Sequence, residues 1–178
     1  MAKMFTEISE ELTEFIANQK IFFVGTAAAE GRVNISPKGM DTFRVLGPNK
    51  VVWLNLTGSG NETAAHLLKN NRITIMFCAF EGKPLILRLY GKATIFHERD
   101  AAYHSYIDLF PKIMGARQIV EIEVENVQTS CGYAVPIMEF KEERTVLKSW
   151  AEKQGEERLK EYHKERNSLS IDNFKTGI

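Results

Sequence analysis

Apolar residues recur at a helical spacing near the start of the chain and at a strand spacing afterwards. Ile8, Leu12 and Ile16 repeat with acidic residues between them, which predicts an amphipathic helix. Thr6 or Ser9 lies at the start of this repeat and is the expected N-cap. The sequence therefore predicts a short helix before the pattern changes.

The middle of the chain alternates between apolar runs and turn residues, which is typical of β-strands. A glycine-rich turn, residues 57–62, leads into a short predicted helix that ends near Asn70, and a second helix is predicted at 98–109. Because helices do not alternate with the strands, the pattern favours a mainly β fold with flanking helices, built as an antiparallel barrel. The predicted strands cover residues 20–26, 32–36, 42–46, 51–56, 73–80, 85–96 and 118–124.

The C-terminal part of the chain is more polar than the middle. Residues 129–140 are expected to be irregular, residues 145–166 are strongly charged with a helical spacing, and a polar tail follows. We expect a barrel domain over residues 1–140 and a helical appendage with its tail over residues 141–178. The few apolar residues of the charged helix predict that it packs on the barrel; the alternative is a solvated charged helix.

Charge and hydropathy narrow the class of protein. The 178 residues include 23 lysines and arginines and 23 aspartates and glutamates, so the formal charge is zero and no basic excess indicates a nucleic-acid partner. No apolar run is long enough to span a bilayer, and the first residues do not resemble a secretory signal. We therefore expect a cytoplasmic protein with no membrane partner.

Histidine and cysteine residues do not form a recognisable reactive site. The four histidines lack the spacing of a zinc site, so we expect surface histidines and no bound metal. Cys78 lies in an apolar strand and is expected in the core. Cys131 precedes Gly132 and is either a reactive thiol or, as we expect from the usual burial of free cysteine, a small buried residue. No side chain stands out as a general acid or base, so no catalytic residue is assigned.

The glycine-rich turn is a candidate anion site. It joins a strand to a helix, where free backbone N–H groups and the helix dipole favour a negative charge. Its spacing matches neither a Walker loop nor a dinucleotide fingerprint. An ordinary N-capped helix is an equally good interpretation of the turn alone.

Two cations occupy unusual positions. Lys38 follows Pro37, which cannot donate to a β-ladder, so the strand ends there or lies at a sheet edge. Lys38 then either reaches into a cleft or is a solvated turn residue. Arg88 lies in an apolar strand and needs a partner, which is either a carboxylate or a ligand phosphate or carbonyl; we favour a structural partner.

The order of these segments resembles that of pyridoxamine 5′-phosphate oxidase-like proteins over about residues 10–130. The segments that carry the resemblance are VGTA (24–27), VNISPKG (33–39), VWLNL (52–56) with the glycine turn behind it, NNR (70–72) and LRLYGKA (87–93). The resemblance implies a six-stranded antiparallel Greek-key split barrel. It also implies a homodimer with FMN at the subunit interface.

The resemblance also implies a set of cofactor-binding residues. They are Val33, Asn34, Ile35, Ser36, Pro37 and Lys38 on one strand, Leu54 and Asn55 on another, Ser59, Gly60, Asn61 and Thr63 at the turn and helix start, and Arg88 as a further cation. The oxidase proper has an Arg-Lys pair where this chain has Gly60 and Asn61. Phosphate neutralisation is therefore left to Lys38, Arg88 and the helix dipole.

The C-terminal sequence departs from the oxidase proper. The substrate-gripping Trp and Arg motif of that enzyme is missing, and the segment NSLSID (167–172) resembles an uncharacterised subgroup. We therefore expect an FMN-dependent oxidoreductase that acts on another small-molecule substrate or reductant. Two alternatives remain open, which are an enzyme on the same barrel that uses F420 or haem and a non-catalytic flavin-binding or storage protein.

Overall fold

A computed structural model describes residues 2–178 and contains eight β-strands and four α-helices. A short 3-10 turn, Ile107–Leu109, follows the third helix. The strands are β1 (Lys3–Phe5), β2 (Phe22–Thr26), β3 (Asn34–Lys38), β4 (Phe43–Gly47), β5 (Lys50–Leu56), β6 (Arg72–Cys78), β7 (Ile86–His97) and β8 (Ala116–Ser130). The helices are α1 (Glu10–Asn18), α2 (Glu62–Lys69), α3 (Ala101–Tyr106) and α4 (Val146–Arg166).

All eight strands belong to one antiparallel sheet, in the order β3-β2-β6-β7-β8-β5-β4, with β1 paired to β8. The prediction of a mainly β fold with flanking helices is confirmed, and the sheet is similar to an open split barrel. The count of six strands is wrong. Seven strands match predicted segments, and β1 was missed because three residues are too few to show an alternation.

The apolar side chains form two clusters on opposite faces of the sheet. The larger cluster fills the inside of the curved sheet, where Trp53, Phe77 and Ile75 are fully buried. The smaller cluster lies outside it and packs β5 and β8 against α3, with Leu54 and Tyr103 among its members. Strand β5 therefore has no solvent-facing side, which explains its apolar run from Val51 to Leu54.

Strand β3 lies at one edge of the sheet and pairs only with β2. The strand continues through Pro37 to Lys38. Of the two predictions for Pro37, the position on an edge strand is therefore confirmed, and the end of the strand at Pro37 is wrong. Side chains of β3 alternate between two surfaces, as the strand period requires. This alternation divides the site residues between two cavities.

Helix α1 begins as expected, because the Ser9 hydroxyl accepts a hydrogen bond from the Leu12 N–H at 3.3 Å. Helix α4 buries Ala151 and Leu159 and is broken at Gly155, whose φ of 73° is left-handed. The sequence predicted the packed helix but not its break. The boundary between a barrel domain and an appendage at residue 140 stays a prediction.

Two expectations about histidine and cysteine are wrong. His66 is fully buried in α2, where its Nδ1 lies 3.1 Å from the Thr26 hydroxyl oxygen. Cys131 is exposed because β8 ends at Ser130, whereas Cys78 is buried as expected. Within residues 2–178, no helix has both the length and the apolar content that a membrane crossing requires.

Candidate functional site

Two cavities lie on either side of β3, and they differ in chemistry. We call them the polar pocket, of about 410 Å³, and the apolar groove, of about 510 Å³. The polar pocket is lined by Asn34, Ser36, Lys38, Asn55, residues 58–61, Glu62, Thr63, Arg117 and Ile171. The apolar groove includes Phe23, Gly25, Val33, Ile35, Thr74, Met76 and Tyr90.

The glycine-rich turn forms one wall of the polar pocket. It carries the chain from the end of β5 to the start of α2, which begins at Glu62. Asn61 is the N-cap residue, but its side chain makes no capping hydrogen bond. The first N–H groups of α2 are therefore not capped by that side chain, and the helix dipole favours an anion beside them.

Arg117 supplies a buried positive charge to the pocket. The register between β5 and β8 shifts where Asn55 faces Gln118 and Leu56 faces Ala116, so Arg117 is an extra, unpaired residue of β8. Such a β-bulge redirects a side chain away from the normal alternation. Only 8% of Arg117 is exposed.

The partners of Arg117 are all neutral. Its Nη1 donates to the Gly60 carbonyl at 3.1 Å and to Asn167 Oδ1 at 2.6 Å. Its Nε has no hydrogen-bond partner, and no ion pair within residues 2–178 includes it. Burial lowers the pKa of Arg117 to about 10, which leaves the guanidinium charged at neutral pH. An anion in the pocket would complete its hydrogen bonds and balance its charge.

Lys38 is the second cation of the pocket. Its Nζ lies 5.0 Å from the centre of the Trp53 ring, at the end of the inner core. Burial and, to a smaller extent, the nearby charge of Arg117 lower the pKa of Lys38 to about 8. Two positive groups that disfavour each other's charge are therefore held in one cavity.

Unsatisfied polar atoms concentrate around this pocket. Among residues 2–178, six buried side-chain polar atoms lack a partner. Four of them belong to pocket-lining residues, namely Ser36, Asn55, Asn61 and Arg117. A fifth belongs to Gln118, which accepts a hydrogen bond from Asn55 at 3.0 Å. Buried polar groups are nearly always paired in folded proteins, so these atoms are available to hydrogen-bond a polar ligand.

The tail of the chain forms the remaining wall. The Ile171 N–H donates to the Glu62 carboxylate at 3.0 Å, and Asp172 forms an ion pair with Arg32. Glu62 is the one acidic residue in the pocket lining, and this hydrogen bond engages its carboxylate. The tail therefore contacts both the helix start and the approach to β3.

Helix α4 is fixed next to the same turn by a histidine. The Thr57 hydroxyl donates to the Gly115 carbonyl at 2.8 Å, and His163 Nε2 lies 2.7 Å from the Thr57 hydroxyl oxygen. Because the hydroxyl proton is used on Gly115, the Nε2–H of His163 must donate to Thr57. Burial and the charge of Arg117 lower the pKa of His163 to about 4, so the ring is neutral near pH 7.

The structure brings most of the expected site residues together, but not all of them. Val33 and Ile35 face the apolar groove and are each 72% exposed. Leu54 is buried in the outer core, and Pro37 lies on β3 outside the lining of the polar pocket. Eight expected residues line the polar pocket: Asn34, Ser36, Lys38, Asn55, Ser59, Gly60, Asn61 and Thr63.

Arg88 does not line the polar pocket. It is half-buried on β7, and its Nη1 donates to the Ser130 hydroxyl at 3.3 Å, so its described partner is a structural one. The buried cation of the pocket is Arg117, which the sequence does not predict. No local signal marks it, because a lone arginine before a strand is ordinary and the bulge depends on the pairing with β5.

Metal ligands are not clustered in the part of the chain that the structure describes. No group of three or more histidine, cysteine, aspartate or glutamate side chains within residues 2–178 is arranged to hold a metal ion.

Comparisons with known proteins agree with this architecture. The sequence matches the pyridoxamine 5′-phosphate oxidase family over residues 8–131. It is 37% identical over 145 residues to the pyridoxamine 5′-phosphate oxidase family protein ustO of Aspergillus flavus, covering 79% of this chain. The match spans only 58% of the length of that curated relative.

Solved structures extend the likeness in the fold. The HupZ protein of Group A Streptococcus matches with a TM-score of 0.53 and 26% identity, over 67% of this chain and 91% of the other. A candidate pyridoxamine 5′-phosphate oxidase from Lactobacillus delbrueckii matches with a TM-score of 0.55 and 19% identity, over 69% and 94%. At that identity the second match supports the fold alone.

Proposed function

Because the chain belongs to the pyridoxamine 5′-phosphate oxidase family, we propose that it binds FMN with the phosphate in the polar pocket and acts as a flavin-dependent oxidoreductase. The family implies a flavin, and the pocket has the chemistry that its phosphate requires.

Arg117 is the observation that carries the proposal. A buried arginine without a carboxylate partner is costly to the folded protein unless a ligand supplies the negative charge. The guanidinium fork matches phosphate oxygens, and the pocket also contains Lys38 and the uncapped start of α2. These three features meet at one place, as a phosphate site requires.

The flavin ring would supply the redox chemistry, and the protein would supply binding and orientation. Asn34 and Asn55 border the pocket with amide groups that can hydrogen-bond polar ring or ribityl atoms. Asn34 is held by donating to the Thr63 hydroxyl at 3.2 Å, and Asn55 by donating to Gln118. Their orientation is therefore fixed before a ligand enters.

A homodimer is the second part of the proposal. The apolar groove lies on the outer face of β2, β3 and β6, and Val33 and Ile35 expose 72% of their surface there. An apolar face of this kind on an edge of the sheet is a site for a protein partner. A second copy on this face would place its atoms beside β3, whose other side lines the polar pocket.

We do not propose pyridoxamine 5′-phosphate, the substrate for which the family is named, as the substrate of this protein. The family resemblance sets Gly60 and Asn61 against an Arg-Lys pair of the oxidase proper, and the match to ustO spans only 58% of that relative. The proposed substrate is therefore a small molecule other than pyridoxamine 5′-phosphate.

The absorbance spectrum of the purified protein tests the choice of cofactor. We expect the spectrum of a bound oxidised flavin, with FMN released on denaturation. An F420 or haem spectrum would contradict the choice of flavin. Anaerobic addition of NADH or NADPH then separates an enzyme, in which the flavin bleaches at a catalytic rate, from a storage protein, in which it does not.

A further inference from the structure

Asn167 occupies a central position at the junction of α4 and the tail. It is fully buried, and its side chain accepts from Arg117 at 2.6 Å and donates to the Gly58 carbonyl at 3.1 Å. Its backbone carbonyl accepts from the Thr176 hydroxyl at 2.5 Å. One side chain therefore links the bulge of β8 to the glycine-rich turn, and its backbone links both to the tail.

A neutral asparagine such as Asn167 is an unusual partner for a buried arginine. Buried arginines are normally paired with carboxylates, because the cost of removing the charge from water is then offset. Asn167 offers the same acceptor oxygen without the charge, and the Gly60 carbonyl does likewise. Arg117 is held in place but not neutralised.

We propose that Asn167 is a positioning residue of the phosphate site, which orients Arg117 toward the pocket and leaves its positive charge for the ligand. The inference rests on the proposed function, because it requires a phosphate in the polar pocket. It makes the C-terminal segment part of the cofactor site and not a separate appendage. Two further contacts of the tail support it. Ile171 engages the Glu62 carboxylate, and Asp172 pairs with Arg32, so the acidic groups nearest the pocket are directed to other partners.

The substitution Asn167→Asp separates positioning from stability. Aspartate has nearly the same shape and adds the carboxylate that Arg117 lacks. The carboxylate cannot donate to the Gly58 carbonyl as Asn167 does, but its ion pair with Arg117 offsets that loss, so we expect the flavin-free protein to keep a melting temperature close to that of the unsubstituted protein. FMN affinity should fall at least about tenfold, the loss expected for one charge-assisted hydrogen bond, while riboflavin affinity stays within about twofold.

Asn167→Ala should lower stability more and FMN preference less than Asn167→Asp does. It also provides a test if the aspartate variant does not fold. It removes an orienting contact without adding a charge, so the melting temperature should fall and the preference for FMN over riboflavin should decrease by less than in Asn167→Asp. The matched control is Asn173→Asp, which adds the same charge at an exposed position of the tail and should change neither preference nor stability. A purely structural Asn167 would make stability and both affinities fall together.

Inorganic phosphate distinguishes failure of this inference from failure of the proposed function. Phosphate should raise the melting temperature of the unsubstituted flavin-free protein and have less effect on Asn167→Asp. If phosphate shows this contrast and no flavin binds, the role of Asn167 stands and the proposed function is wrong. If FMN binds and both Asn167 variants keep the original ratio of FMN to riboflavin affinity, the role of Asn167 is overturned.

Discussion

The two faces of strand β3 place different chemistry on opposite sides of a five-residue segment. Asn34, Ser36 and Lys38 face the polar pocket, whereas Val33 just before the strand and Ile35 within it face the apolar groove. One face is surrounded by unsatisfied buried polar atoms and the other by exposed apolar carbon. The difference underlies the two partners that we propose, an anionic ligand on one side and a second copy of the chain on the other.

The comparison also explains why an edge strand carries the site. An edge strand has a partner on one side only, so its turns and ends remain open to ligands and to another chain. Pro37 occurs in β3 without disrupting the sheet because its missing N–H costs nothing on the open side. Each face of β3 can be tested separately by substitution.

The largest effect is expected on the apolar face. Ile35→Asp should weaken the proposed dimer about a thousandfold, because two copies of an unpaired charge would be buried in one interface. Sedimentation equilibrium should then show a monomer near the 20.3 kDa chain mass. Leu109→Asp is the control, since Leu109 is exposed outside the groove and its substitution should leave the dimer intact. A dimer that persists in Ile35→Asp would mean that the groove is not the interface.

On the polar face, Arg117→Met should have the largest effect. It removes the buried charge and keeps much of the aliphatic bulk, so FMN affinity should fall about a hundredfold while riboflavin affinity changes little. Fluorescence quenching with both ligands gives the two constants. Arg88→Met is the matched control, because Arg88 lies outside the pocket and should not affect the preference. If Arg88→Met lowers FMN affinity and Arg117→Met does not, the phosphate binds at Arg88 and the assignment to the polar pocket is wrong.

Lys38→Met should have a smaller effect of about tenfold on FMN binding, because Lys38 is more exposed than Arg117 and lacks the guanidinium fork that matches phosphate oxygens. The same titrations measure it. Equal weakening of FMN and riboflavin would show that Lys38 touches the flavin ring instead of the phosphate. Unchanged affinities for both ligands would show that Lys38 is a solvated residue that contacts neither ligand.

The pH dependence of binding should be the smallest effect. The pKa of Lys38 is about 8 in the ligand-free protein, and a bound phosphate must raise it. Binding therefore takes up a proton above pH 8, and FMN affinity should fall about fourfold between about pH 7 and about pH 8.5. The phosphate itself stays doubly charged over this range, since its second pKa is about 6. Calorimetric titration of Lys38→Met should show no such fall.

The strands and the alternation of β3 were predictable because both depend on local sequence. Seven strands followed from apolar runs and turn residues, and the helix behind the glycine-rich turn followed from the apolar spacing of its residues. The strand period also separates Val33 and Ile35 from Asn34 and Ser36, although the site residues expected from the family form one continuous run.

The parts of the site that escaped prediction depend on distant pairing. Arg117 enters the pocket through a bulge that exists only because β8 pairs with β5 across a shifted register. Asn167 reaches it from 50 residues further along the chain. His66 is buried because α2 packs its polar side chain against Thr26 of β2. None of these contacts has a local sequence pattern.

The preference of the unsubstituted protein for FMN over riboflavin tests the central claim most directly. The two ligands share the ring and the ribityl chain and differ only in the phosphate, which is the group assigned to the polar pocket. Isothermal titration of the flavin-free protein with each ligand near pH 7 should give FMN an affinity at least about a hundredfold higher, the contribution of two charge-assisted contacts. Equal affinities for FMN and riboflavin would contradict a phosphate site at Arg117 and the uncapped start of α2.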